Sequence, residues 1–264
     1  QGDPVVYRAR FDKFGPMALR GHGELIRILP RVLRRAGLPI RFSEGFSPRP
    51  KLSFGPALPL GVQSLDEYCE FALTAELAEG QVLEALRGAA EEGLRFTGLD
   101  RTRPGEPRLS RWIAAVRYAV LLAADLEPAE LESRLEAFRS AGSWPLALTR
   151  RVKAKSRRRG TRPSAPRERE VEVDLRDFVE DVRLAPAGVV APFLGCSADR
   201  LTLRFRMLLS GTGSLPRPVE ITRALAGFEP VAIEIVRTAC EPAARGGGSE
   251  MRLPPAEASL TGPG

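Results

Sequence analysis

In the first half of the chain, segments with the apolar pattern of a strand are followed by segments with the apolar pattern of a helix. In VVYRARFDK, residues 5–13, every second residue is apolar, which predicts a strand with one face in a core. In residues 24–37 the apolar residues recur at helical spacing, and Pro30 predicts a bend within this helix. Residues 51–100 then have the patterns of two strands, a helix and a closing strand. The predicted order is therefore β-α-β-β-α-β.

The second half repeats this order from a strand at residues 117–123 onwards. Two successive units of this kind predict an α+β fold made of two tandem ferredoxin-like domains, residues 1–107 and 108–241. The last residues, 242–264, are rich in Pro, Gly, Ser and Ala and contain too few apolar side chains to bury a core. We expect them to form a disordered tail.

Positive charge is concentrated in two zones. Residues 1–62 contain 11 Lys and Arg against 4 Asp and Glu, and residues 150–169 contain 10 against 1. Concentrated positive charge is typical of proteins that bind phosphate groups. The second zone has no aromatic residue, so we expect it to bind nucleic acid through charge alone and with little sequence preference. The alternative is that residues 150–169 are the solvated tip of a hairpin between two strands of the second domain.

The remaining composition excludes several classes of protein. Cys69, Cys196 and Cys240 are scattered, which indicates neither a disulfide framework nor a zinc site, so we expect no metal. No run approaches the roughly 20 apolar residues that cross a bilayer, and no signal peptide opens the sequence. We therefore expect a cytoplasmic protein without membrane contact. Gln1 in place of a start methionine suggests a domain cut from a longer chain.

Residues 42–61, FSEGFSPRPKLSFGPALPLG, contain too many prolines and glycines for a helix. In one interpretation they form a rigid platform, on which Phe46 offers a stacking face and Arg49 and Lys51 contact phosphate. In the other they lock a connection between elements, with Phe46 and Phe54 buried as anchors. We expect the two rings to be anchors and the two cations to be functional, because a turn that only locks the fold does not need cations.

Several short motifs lie close together in residues 7–71. They are His22 with Glu24, RRAGLP (34–39), SEGFSP (43–48), KLSF (51–54) and PLG (59–61). With RPVEITRAL and IVRTAC nearer the C-terminus, they resemble the radical-SAM-linked family, small bacterial proteins found beside or fused to a cobalamin-type radical SAM protein. Glu24, Glu44 and Ser47 differ from the Asp, Gln and Asn of the family pattern. The resemblance implies a radical SAM protein as partner.

His22 is the only histidine, and it precedes a helix with a stripe of arginines. Histidine suits general acid and base catalysis near neutral pH, so His22 is the candidate catalytic residue. The alternative is that it caps the helix or packs at the interface between the domains. The chain has no three-cysteine cluster motif and cannot supply radical SAM chemistry itself.

The leading functional hypothesis is an accessory module without a cofactor, which binds structured RNA (tRNA or rRNA) and presents it to the radical SAM partner. The alternatives are a metal-independent RNA-processing nuclease that uses His22 and a subunit that binds only protein. We expect the cations of distant segments to converge on one groove. The candidate RNA-binding residues are Arg27, Arg31, Arg34, Phe46, Arg49, Lys51, Arg150, Arg151, Lys153, Lys155, Arg157, Arg158, Arg159 and Arg162.

Overall fold

In the first half of the chain, two helices pack on four strands. The structure, a computed structural model, describes residues 5–152, 167–209 and 214–243. β4, β1, β3 and β2 lie side by side in that order, and each neighbouring pair is antiparallel. The elements of this half are β1 (Val5–Lys13), α1 (His22–Arg35), β2 (Leu52–Phe54), β3 (Gln63–Leu73), α2 (Glu79–Ala89) and β4 (Leu94–Arg101).

The second half places β10, β5, β9 and β8 side by side, again with antiparallel neighbours, while β6 and β7 pair as a separate hairpin. The basic segment of the sequence links β6 to β7. The elements of this half are α3 (Leu109–Trp112), β5 (Ile113–Leu121), α4 (Pro128–Ser140), β6 (Pro145–Val152), β7 (Arg167–Asp174), β8 (Val179–Pro186), α5 (Ala191–Leu194), β9 (Leu201–Leu208), α6 (Pro218–Ala226) and β10 (Ile235–Pro242).

The two halves share one sheet. β10 pairs with β3 in parallel, through Val236 opposite Gln63 and Arg237 opposite Ser64. The result is an eight-stranded, mostly antiparallel sheet in the order β4-β1-β3-β10-β5-β9-β8, with β2 on β3. The prediction of an α+β fold is therefore confirmed. The predicted tail lies outside the described residues from residue 244 on, since β10 runs to Pro242.

Each half has its own apolar core between helices and sheet. In the first half, Leu29 of α1 and Leu86 of α2 are buried with Phe11 and Phe96 of the strands. In the second half, residues of α4 and α6 cover Tyr118 and Phe205. Each fully buried side chain of this size contributes about 1.5–3 kcal/mol, so both cores stabilise the fold strongly.

Helix α1 continues through Pro30 without a break. Its buried residues are Leu25, Ile28, Leu29, Val32 and Leu33, and this packing offsets the hydrogen bond that a proline cannot donate. In the part of the chain that the structure describes, no helix is long and apolar enough to cross a membrane.

Candidate functional site

The predicted platform is a hairpin-like turn at residues 42–51. Phe42 pairs with Pro50 as an isolated bridge, and the Ser43 amide donates to the Arg49 carbonyl oxygen at 2.7 Å. The Ser43 Oγ accepts a hydrogen bond from the Arg49 amide at 3.0 Å. Gly45 has a φ of 115°, a conformation that favours glycine, so these contacts give the turn a defined shape.

The aromatic ring at the tip of this turn is not an anchor. Phe46 is fully exposed, so the expectation that it is buried is wrong. Phe54 is half-buried, and its ring stands edge-on to the His22 ring with centroids 5.4 Å apart. Arg49 and Lys51 are exposed and form no ion pair with any carboxylate in residues 5–152, 167–209 or 214–243. The turn therefore presents an aromatic face beside two available cations.

The arginine stripe of α1 is also exposed. Arg27, Arg31 and Arg34 lie on the face opposite the buried Leu29 and Val32, and they form no ion pair within the described residues. Among these residues, no hydrogen bond or ring contact joins the stripe to the turn. The convergence of the two on one groove stays a prediction.

The other candidate cations differ in how strongly a carboxylate already neutralises them. Arg150 lies at the end of β6 with 17 % of its side chain exposed, and it binds Glu220 at 2.7 Å and the Leu215 carbonyl oxygen at 3.0 Å. Arg151 is exposed and lies 3.5 Å from Glu168. The other candidates fall outside the described residues: Lys153, Lys155, Arg157, Arg158, Arg159 and Arg162.

His22 lines a pocket where β1, α1, β2 and β3 meet. The pocket encloses about 310 Å³, part of it open solvent, and its walls include Phe54, Leu25 and Leu58. Lys13 lies in the same pocket with only 2 % of its surface exposed, and its ammonium donates to the Ala18 carbonyl oxygen at 3.3 Å. Burial lowers the pKa of Lys13 below its ordinary value.

Glu67 lies on the inner side of this pocket and links it to the second half of the chain. Its Oε1 accepts a hydrogen bond from Arg237 at 2.8 Å. Arg237, 1 % exposed, also donates to the Tyr118 hydroxyl at 2.9 Å and to the Pro56 carbonyl oxygen at 2.9 Å. Burial alone would lower the pKa of Arg237, but the Glu67 carboxylate raises it above its ordinary value.

Sequence reasoning did not select Lys13, Glu67, Tyr118 or Arg237. A signal was present, because Glu67 and Arg237 are charged residues inside predicted strands, and charged residues are seldom fully buried unless they are paired. Their partners could not be assigned from the sequence, since the pair is separated by 170 positions.

Four exposed aliphatic residues are the chain neighbours of Gly61 and of the two residues it contacts, close to the pocket. The Gly61 amide donates to the Ala18 carbonyl oxygen at 3.0 Å, and a Cβ at Gly61 would lie 3.0 Å from the Ala232 Cβ. Three distant segments therefore meet at this point. We call the exposed side chains that flank it the aliphatic patch: Leu19 (62 % exposed), Leu60 (61 %), Val231 (58 %) and Ile233 (56 %).

These observations define an α+β protein with a pocket of charged and apolar residues at the junction of its two halves, and with a rigid, cation-bearing turn. A family model described as "Uncharacterized protein conserved in bacteria (DUF2344)" matches residues 6–210, and the chain belongs to this family. A comparison with curated proteins found no match.

Proposed function

We propose that this protein is an accessory module that binds structured RNA, with the turn at residues 42–51 as its main contact. The observation that carries the proposal is the fully exposed ring of Phe46 on the same turn as Arg49 and Lys51, two exposed cations that no described carboxylate neutralises. An exposed aromatic ring on a fixed turn has little to contribute to the fold. It can stack on an unpaired base while the cations contact phosphates.

The contrast with other arginines supports this choice of residues. Arg8 binds Glu70 at 2.7 Å and Arg10 binds Asp66 at 2.6 Å, so these cations are already neutralised. The stripe Arg27, Arg31 and Arg34 is exposed and without such a partner in the described chain, and it adds three cations to the proposed interface. The basic segment 150–169 adds further positive charge by its sequence.

The test is binding of tRNA and rRNA fragments at several salt concentrations. Phe46→Ala is expected to weaken binding by about 1–3 kcal/mol without changing the salt dependence, because it removes only a stacking contact. Arg49→Gln is expected to lower the salt slope by about one, because it removes a phosphate contact.

Arg20→Gln is the matched control, since Arg20 is exposed but already pairs with Glu24 at 3.0 Å. It should leave both quantities unchanged. An absence of micromolar binding at low salt would overturn the proposal.

We propose further that a radical SAM protein is the partner to which the RNA is presented. Support comes from the sequence resemblance and from the aliphatic patch, whose four exposed, uncharged side chains suit contact with a protein rather than with a nucleic acid. Co-purification with the radical SAM protein should survive about 0.5 M salt, where charges are screened within about 4 Å.

Two variants sharpen this test. Leu60→Asp should abolish the co-purification, whereas Val189→Asp, which changes an exposed aliphatic residue outside the patch, should not. Equal recovery of both variants would exclude the patch as the docking surface.

A nuclease is the second candidate function. The observation in its favour is that His22 shares a pocket with Lys13 and Glu67, which supply charged neighbours for a general acid or base. Incubation with labelled total RNA distinguishes the two candidates. Cleavage that is lost in His22→Ala and kept in Phe46→Ala would favour the nuclease.

We also propose that each half is a ferredoxin-like unit, with the domain boundary near residue 107. What supports this is the strand order. In the first half it is β4-β1-β3-β2, and the second half gives β10-β5-β9-β8. If the β6–β7 hairpin is not counted, each half contains four strands. Numbered along the chain, the strands of each half lie side by side in the order fourth, first, third, second, as in a β-α-β-β-α-β unit of the ferredoxin-like type.

A further inference from the structure

We propose that the pocket between Lys13 and His22 binds one oxyanion group, a phosphate or a carboxylate. The site is distinct from the turn at residues 42–51, and the inference does not require the protein to bind RNA.

The ammonium group of Lys13 has unused hydrogen-bond donors. It has three N–H groups, and its single hydrogen bond within the described chain is the one to the Ala18 carbonyl oxygen at 3.3 Å. With 2 % of its surface exposed, Lys13 has little access to bulk water. Buried N–H groups of a charged side chain that lack acceptors are costly, so the two remaining N–H groups of Lys13 favour an occupant that offers oxygen atoms.

The charge balance of the pocket favours an anion. The carboxylate of Glu67 is neutralised by Arg237, whose guanidinium is fully engaged by Glu67, Tyr118 and two backbone carbonyl oxygens. Lys13, Arg237 and Glu67 together therefore carry one net positive charge, although Glu67 also raises the pKa of Lys13 and Arg237 lowers it. Burial lowers the pKa of Lys13, and an anion beside it would stabilise the ammonium form.

The first turn of α1 adds to this preference. The helix is 14 residues long and begins at His22, so the positive end of its dipole lies at the pocket. Glu24 in the same turn is already bound to Arg20 and to the Gly21 amide.

The size of the pocket limits what can enter. Its inner part has room for about one water-sized group, and its walls are the apolar side chains of Phe11, Leu25, Phe54 and Leu58. One oxygen of the anion can therefore reach Lys13, while the rest of the group stays at the mouth beside the His22 ring. A nucleobase or a sugar does not fit in the inner part.

The chain itself contains a reporter for this site. His22 is the only histidine, so its imidazole gives one unambiguous NMR signal. We expect inorganic phosphate and acetate to shift this signal saturably at constant ionic strength. In Lys13→Met the affinity should fall about tenfold or more, because a hydrogen bond to a charged group is lost. Arg103→Met, which removes an exposed cation outside the pocket and outside the proposed RNA interface, should leave the affinity unchanged.

A shift that does not saturate, that equals the shift with chloride, or that persists in Lys13→Met would overturn the proposal. If Lys13→Met does not fold, thermal unfolding of the wild-type protein tests the proposed site instead. Phosphate should raise the melting temperature of the wild-type protein above that in chloride of equal ionic strength, because a ligand of the native state stabilises it, and equal melting temperatures would refute the site.

The source of the anion is distinguished by a further pair of probes. A dinucleotide with a 5′-phosphate that shifts the His22 signal more strongly than its unphosphorylated form would assign the site to an RNA end. Equal weak shifts, with saturation by phosphate or acetate, would assign it to a small free anion. Either result is independent of whether Phe46→Ala affects RNA binding, so the two proposals can fail separately.

Discussion

The guanidinium of Arg237 in β10 and the carboxylate of Glu67 in β3 form a buried ion pair at 2.8 Å, and this pair joins the two halves of the chain. The Tyr118 hydroxyl and the carbonyl oxygens of Pro56 and Ala57 complete the hydrogen bonding of Arg237. A buried charge is stable only when it is neutralised and hydrogen-bonded, so each partner depends on the other.

Because each partner depends on the other, we expect a large loss of stability when the ion pair is broken. Glu67→Gln leaves the Arg237 charge buried without a counter-charge, and we expect it to lower the free energy of unfolding by about 3–5 kcal/mol. The double variant Glu67→Gln with Arg237→Met should lose less than the sum of the two single variants, since no uncompensated charge remains. Urea denaturation measures all four proteins, and strictly additive losses would contradict the coupling.

A second prediction concerns pH and rests on Asp12. Burial raises the pKa of Asp12 to about 6, although hydrogen bonds from Arg95, 2.6–2.8 Å away, act in the opposite direction. NMR titration of the carboxyl signal should therefore show a midpoint near 6. Arg95→Met should raise this midpoint further, because it removes the groups that favour the carboxylate. A midpoint near 4 in the wild-type protein would contradict the prediction.

The same raised pKa has a consequence for stability. The native state holds the Asp12 proton more tightly than the unfolded state, so the stabilising contribution is present at low pH and is lost as the pH rises from about 4 to 6. The loss is about 3 kcal/mol for a shift of this size. Other carboxylates also titrate, so the measurement is the difference between wild type and Asp12→Asn in chemical denaturation at each pH. The difference in unfolding free energy between the two proteins should change as the pH rises from about 4 to 6 and should stay constant at higher pH.

Backbone conformation gives a third prediction. Gly93 has a φ of 78°, and a Cβ there would lie 2.2 Å from the Phe14 carbonyl oxygen. We expect Gly93→Ala to destabilise the protein by about 3 kcal/mol. The control is Gly88→Ala in α2, where nothing lies within 4 Å, and this variant should stabilise by about 0.5–1 kcal/mol. Thermal melts of the two variants should therefore shift in opposite directions, and a shift in the same direction would contradict the assignment.

The neighbouring cations Arg150 and Arg151 allow a fourth prediction. Arg150→Gln breaks the ion pair with Glu220, so we expect a loss of about 1–2 kcal/mol in unfolding free energy. Arg151→Gln changes an exposed side chain and should stay within about 0.5 kcal/mol of wild type. If RNA binds, Arg151→Gln should lower the salt slope more than Arg150→Gln, because the Arg151–Glu168 pair is longer and far more exposed than the Arg150–Glu220 pair. A larger decrease of the salt slope in Arg150→Gln than in Arg151→Gln would show that Arg150 is the cation available to RNA.

Much of the secondary structure could be predicted from the sequence, because each element has a clear period. Residues 5–13 alternate and form β1, and residues 128–140 show helical spacing after Pro128 and form α4. A hairpin around the basic segment was predicted, but its separation from the main sheet and the pairing of β3 with β10 were not. They depend on contacts between distant segments, and a local pattern does not encode which strand becomes a neighbour.

Part of the candidate site was also predictable, because several of its residues belong to local sequence motifs. The proline-rich turn, its cations and the lone histidine are visible as local motifs. Whether a cation is free is a tertiary property: Arg150 was selected by its charged neighbourhood, but Glu220 of α6 neutralises it. Phe46 was expected to be buried because phenylalanine usually is, and only the fold shows that no core lies beneath it.

The parallel contact between β3 and β10 spans only two residue pairs, and it is made by the last strand of the described chain. During synthesis, this side of β3 at Gln63 and Ser64 remains an open edge until β10 has left the ribosome, and open edges invite pairing with other chains. Release of the nascent protein before Ile235 would therefore leave a sheet with an unprotected border, so a prematurely terminated product is expected to aggregate rather than to persist as a half-size domain.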